Sequence, residues 1–177
     1  MNRIRALLAW LAEPSRRFVP LFLVYLGLGS VLMNQLPPRS LDALLRGTAW
    51  VDYQMLRLFS DQVRLDGVIV SLDGFAVRII TECTGLYESL ILIAAVLAYR
   101  ASWRERLLGA VAGTALLYFM NVLRIAFLLV VGRHAPELFD FAHVYLWQTL
   151  LAVFIVLLWL VWIQYVVRDE ADSALRA

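Results

Sequence analysis

Residues 107–131 read LLGAVAGTALLYFMNVLRIAFLLVV. The run holds no acid, and its strongly polar side chains are Asn121 and Arg124. A helix needs about 20 mostly apolar residues to cross a hydrocarbon core roughly 30 Å thick. This run alone therefore makes the chain a membrane protein. Working outward, three more segments come close to that length. Segment 18–36 opens near Pro20 and stops at Pro37-Pro38, segment 83–99 is short and carries Glu88, and segment 143–167 is the cleanest, rich in Leu, Val and Trp. No small-residue cleavage pattern follows the first, so it is expected to be retained. The expected fold is an all-α integral membrane bundle of about four spanning helices, forming one domain over residues 1–177.

Composition agrees with that reading. The chain has 177 residues, 62% hydrophobic and 17% charged, with a mean hydropathy of +0.75. Soluble domains carry about 25% charged residues. All 16 cationic residues are Arg, and a net charge of +2 is too small for a nucleic-acid binder. The single cysteine, Cys83, makes neither an internal disulfide nor a Cys-x-x-Cys redox or zinc pair. No metal or cofactor is expected.

Arginine placement sets the orientation. With the N-terminus in the cytoplasm, the inner pieces are 1–17 (Arg3, Arg5, Arg16, Arg17), the link 100–106 (Arg100, Arg104, Arg106) and the tail (Arg168, Arg176). The outer pieces are 37–82, where five arginines meet six acids, and 132–142. Both termini are expected inside.

The outer segment is structured. Leu41, Leu44, Leu45, Trp50, Met55, Leu58 and Phe59 recur at helical spacing, with Asp42, Arg46, Asp52 and Arg57 between them. This pattern predicts a helix lying on the membrane surface. Strands are predicted at 63–65, 68–72 and 75–80, separated by Asp66-Gly67 and Asp73-Gly74, which supply the positive φ of tight turns. A small β-meander thus leads into segment 83–99.

Polar groups in a bilayer point to chemistry, because a charge near the middle of a spanning helix costs about 2.5–3.5 kcal/mol. Arg124 lies seven residues before Val131, so about 10 Å from the outer helix end at a rise of about 1.5 Å per residue. Asn121 and Tyr118 precede it at steps of three, on one face. Cys83 stands at the outer end of segment 83–99 and His143 at the outer end of segment 143–167. Topology brings a thiol, a guanidinium and an imidazole to one depth.

A thiol attacks as thiolate, and a fixed cation such as Arg124 favours that form. Arg124 or the Asn121 amide would stabilise an oxyanion. His143 would protonate the leaving amine and later act as base. Glu82 and Glu88 would orient the imidazole or pair with Arg124. These parts make an acyl-transfer site. The plainer readings stand beside it: an inert packing cysteine, an arginine snorkelling to the headgroups, an interfacial histidine, and an internal polar lock of Arg124, Asn121 and Glu88 in a binding or assembly subunit. A proton relay or small transporter ranks below both, since there is no duplicated half. His134, in the 132–142 loop, competes with His143. Gly109-x-x-x-Gly113 reads as helix packing.

Three blocks resemble one known family. Thr81-Glu82-Cys83-Thr84-Gly85, then Asn121-Val122-Leu123-Arg124-Ile125, then His143 at the head of the last span, look like the exosortase/archaeosortase family of membrane cysteine transpeptidases. The likeness covers roughly residues 65–165 and leans toward the short branch called exosortase H. Thr84 stands where the family more often has Ser, and many members carry about eight spans. The resemblance implies Cys83 as nucleophile, with Arg124 and His143 completing the catalytic set. It also implies an exported substrate with a C-terminal sorting signal of short motif, spanning helix and basic end. Transfer would go to an amine or lipid-linked acceptor, at the periplasmic face of a bacterial inner membrane.

Overall fold

The computed structural model describes residues 17–176. Arg3, Arg5 and Arg16, which helped set the expected orientation, lie outside the described residues. The chain is mostly helical, with one small sheet. Helix α1 is Phe18–Asn34, α2 is Pro38–Arg57, and strands β1 Val63–Asp66, β2 Ile69–Leu72 and β3 Phe75–Arg78 follow. A 3₁₀ turn, Thr81–Cys83, leads into α3, Leu86–Ala98. Helix α4 is Trp103–His134, and α5 is Trp147–Arg176, entered through a 3₁₀ turn and a π-helical turn, Phe141–Leu146.

Spanning length separates these helices. Two are long and apolar enough to cross a membrane: α4, and the stretch Pro136–Val166 that ends in α5. A third span arises only if α1 and α2 count as one broken span, bent by 96°. The bend falls at Pro37-Pro38. Proline lacks the N–H that helix continuation needs and restricts the residue before it. Helix α3 has 13 residues, so about 20 Å of rise, short of a full crossing. The helices thus give two or three spans where four were expected, because segment 83–99 spends its first residues on the cysteine turn.

Helix α4 is the central element. Its start is fixed by a capping box: Glu105 N–H donates to Ser102 Oγ at 3.3 Å, and Ser102 N–H donates to Glu105 Oε2 at 2.6 Å. Gly109 and Gly113 act as the packing motif they resembled. A Cβ at Gly109 would meet the Trp162 indole at 2.4 Å, and one at Gly113 would meet Leu92 at 2.4 Å. Small residues there let α3 and α5 close on α4, and Trp162 Nε1 donates to the Glu105 carbonyl at 2.9 Å. Leu92, Val96, Leu117, Trp162 and Val166 form the core at this end.

At the other end the sheet, α2 and α4 enclose a second core of Ala49, Leu56, Val63, Val70, Leu72, Ile79, Cys83, Ile125 and Leu129. The sheet is an antiparallel meander with Val63 opposite Leu72 and Leu72 opposite Phe75. Asp73-Gly74 forms the second turn as predicted, both residues at positive φ. The first turn is Gly67-Val68, one residue later than expected. Asp66 still pairs with Ile69, and only Gly67 has positive φ, as a turn with one left-handed position requires. The ion pair of Arg133 with Asp73 ties this hairpin to the end of α4. Gly132 leaves room for Phe75 there; a Cβ would meet that ring at 2.1 Å.

Candidate active site

The cysteine block folds through local hydrogen bonds. Cys83 N–H donates to the Ile80 carbonyl at 2.8 Å, and Thr84 Oγ1 donates to the Thr81 carbonyl at 2.7 Å. Gly85 then turns the chain into α3 at φ +72°. A side chain is strained at that angle, and it would also meet Asn121 Nδ2 at 2.7 Å. This contact joins the cysteine block to α4. Asn121 is fully buried, and its Nδ2 donates to the Leu117 carbonyl at 3.2 Å, while its Oδ1 has no partner among the described residues. Asn121 therefore seats the turn behind Cys83.

One turn further along α4 comes Arg124, 8% exposed. It lines a cleft of about 560 Å³ with Glu82, Tyr87, Glu88, His143 and Gln148. Ile91, Leu151, Ala152 and Ile155 make an apolar wall that continues down the bundle. Four predicted residues, Arg124, His143, Glu82 and Glu88, thus share one cleft. Tyr118 does not; it faces a shallow apolar depression with Ile93 and Thr114. Glu88 Oε2 is buried without a hydrogen-bond partner among the described residues.

Cys83 stands just behind this cleft. It is 6% exposed and belongs to the core under the sheet, and its neighbours Ile80 and Glu82 line the cleft where it does not. Burial pushes the thiol above its ordinary range. A backbone hydrogen bond at Ile80 and the Arg124 charge pull it down, while Glu82 and Asp52 push it up. Burial is the largest of these effects and favours the protonated thiol. Arg124 is the charged neighbour that Cys83 and His143 have in common.

His143 lies in the π-helical turn, stacked on Phe139 at 5.7 Å and 24°. Phe139 packs in turn on Phe75 of the hairpin at 5.2 Å. The meander therefore braces both sides of the site: β3 leads to the cysteine turn, and Phe75 supports the histidine through Phe139. His134 is exposed, with Nδ1 hydrogen-bonded to the Val130 carbonyl at 3.0 Å, and it does not line the cleft. No group of three or more His, Cys, Asp or Glu able to hold a metal occurs among the described residues.

Two features escaped the sequence reading. Phe139 stands four residues before His143, a helical spacing that brings the two rings together, while its contact with Phe75 is made only by tertiary packing. Asp52 was read as part of the polar face of α2, yet it is fully buried, with Thr48 one turn earlier. Neither Asp52 oxygen nor Thr48 Oγ1 has a hydrogen-bond partner among the described residues. A signal did exist: at 100° per residue Asp52 falls on the arc of Leu45, Ala49 and Leu56, the face that α2 buries against the core.

The fold and the cleft define a polytopic membrane protein with its polar groups gathered at one end of the bundle. The family model described as transmembrane exosortase (Exosortase_EpsH) matches residues 5–160, and the chain belongs to that family. The family is one of cysteine transpeptidases. No curated protein and no solved structure matches the chain.

Proposed function

We propose that this chain is a cysteine transpeptidase that cuts the C-terminal sorting signal of exported proteins. The observation that carries the reading is the buried Arg124 on the cleft wall, the cation shared by Cys83 and His143. Cys83 attacks the scissile carbonyl. Its S–H bond breaks, and the proton goes to the imidazole of His143 once substrate fills the cleft between them. Arg124 offers N–H donors to the oxyanion. His143 returns the proton to the departing amine, leaving a thioester on Cys83. An incoming amine or lipid-linked nucleophile then takes the acyl group and regenerates the thiol.

Burial suits this task. The apolar wall of the cleft and a substrate helix laid against it would restrict water, so the thioester survives until the acceptor arrives. The apolar wall of Ile91, Leu151 and Ile155 suits the side of a substrate's spanning helix. Its basic end would lie in the cytoplasm and its motif at the periplasmic face. Asn121 supports the cysteine turn, and Glu82 and Glu88 tune the charge around Arg124.

The test is processing of a reporter bearing a sorting signal, coexpressed in a strain lacking the native enzyme. Cys83→Ala and His143→Ala are expected to insert normally and leave the reporter uncut, while His134→Ala cuts it. Normal cutting by Cys83→Ala overturns the reading. Buried Asn121 and Arg124, with half-buried Glu88 on the same cleft, also favour a second reading, a non-catalytic assembly subunit with an internal polar lock. It predicts that Cys83→Ser is silent and that Arg124→Leu disrupts folding.

A further inference from the structure

A second cavity, about 600 Å³, lies at the opposite end of α3 from Cys83. At a rise of about 1.5 Å per residue the 13 residues of α3 place the two about 20 Å apart. Its walls divide by chemistry. Arg17, Arg100 and Arg106 stand on it, and Leu21, Leu97 and Trp159 form an apolar side that runs into the helices. No acid lines it. Glu105, the acid of the 100–106 link, is turned inward at 8% exposure, with its carboxylate engaged in the α4 cap.

Arg106 is fixed in place. Its Nη2 donates to the Tyr99 carbonyl at 3.0 Å, and its Nε is closed off without an acceptor among the described residues. This bond sets the direction of the half-buried guanidinium, and a guanidinium left without acceptors is costly. An anion with several oxygens in the cavity would take the guanidinium donors that the Tyr99 carbonyl leaves, and forked donors match phosphate oxygens in pairs. The apolar side then selects the form of that anion. A free phosphate uses none of it, whereas a lipid lays its acyl chains along Leu21, Leu97 and Trp159.

We propose that this cavity is a binding site for the phosphate headgroup of an anionic membrane lipid, held by Arg100 and Arg106, with its chains against Leu21, Leu97 and Trp159. Basic pockets between membrane helices are suited to such headgroups. The site is separate from the Cys83 cleft, so it does not rest on the transpeptidase reading.

The test is native mass spectrometry of the delipidated full chain in neutral detergent, titrated with phosphatidylglycerol or phosphatidylcholine. The expected result is at least tenfold tighter binding of phosphatidylglycerol. The Arg100→Gln, Arg106→Gln double variant is expected to lose that preference, and Arg104→Gln, whose side chain is off the cavity, to keep it. A second measurement needs no arginine variant: bromine-labelled phosphatidylglycerol should quench Trp159, read as the difference between the full chain and Trp159→Phe. Equal binding of the two lipids, an unchanged preference in the double variant, or no Trp159 quenching overturns the proposal. Thermal stabilisation by inorganic phosphate equal to that by the lipid also overturns it, since the ligand would then be a soluble anion.

Discussion

The two cores of this protein are built on opposite terms. The core around Leu92, Leu117 and Trp162 is apolar, closed by glycines that let helices touch, and its indole N–H donates to a backbone carbonyl. The core around Cys83 also has apolar walls, among them Val70, Ile79 and Ile125, yet Thr48, Asp52, Asn121 and Arg124 are buried at the same end. Three of these four keep side-chain atoms without hydrogen-bond partners among the described residues. Unpaired buried polar atoms cost about 1–3 kcal/mol each. Unpartnered polar atoms occur at the other end too, on Arg106 and Trp159, but among the described residues only beside Cys83 do fully buried polar side chains, Thr48, Asp52 and Asn121, gather next to the groups a reaction would use.

The largest test of that contrast is Arg124→Gln. Removing one preorganised oxyanion donor costs about 100- to 1,000-fold in rate, so reporter processing should fall by at least that much while the protein still inserts. The same variant tests the cysteine. Burial already holds the wild-type thiol above its ordinary range, so alkylation should accelerate only above about pH 8.5, the value of a free thiol. Loss of the Arg124 charge removes an attraction that favours thiolate, so the alkylation midpoint should move further up. A midpoint below that of the denatured protein would contradict the buried thiol seen here.

Next in size are two glycines, one from each end. Gly85→Ala places a side chain at φ +72° against Asn121, at a cost of about 1–3 kcal/mol in strain. It should change both thermal stability and the Cys83 alkylation rate. Gly109→Ala presses on the Trp162 indole and should destabilise by about 1–3 kcal/mol through overpacking. Its Cys83 alkylation rate should stay at the wild-type value. Equal effects of both on alkylation would mean the two ends are not independent.

The smallest expected effect has the opposite sign. Asp52→Leu replaces a buried, unpartnered carboxyl with an apolar side chain and should stabilise by about 1 kcal/mol, read from thermal denaturation. A loss of stability would show that Asp52 has a partner that matters.

Much of this molecule was legible along the chain. Spans of apolar residues, the prolines that end α1, and Asp73-Gly74 in the meander all act locally, and local rules read them. The candidate site was legible as residue types: Cys83, Arg124 and His143 stood out because polar groups are expensive in lipid. Depth along a helix follows from rise per residue, so their common level followed too. Span count was less legible, since hydropathy alone does not show that 83–85 form a turn and not the first turn of α3.

What the sequence by itself determined is membrane class, element order and the polar residues worth watching, because periodicity and the cost of burying charge are properties of a segment. Tertiary structure decided which side each polar group faces. It put Arg124 and His143 in one cleft and Cys83 behind its wall, turned Asp52 inward, and sent Tyr118 elsewhere. Those outcomes depend on which helix packs on which, and they follow from close contacts such as Gly85 on Asn121 and Phe75 on Phe139, made between residues far apart in the chain.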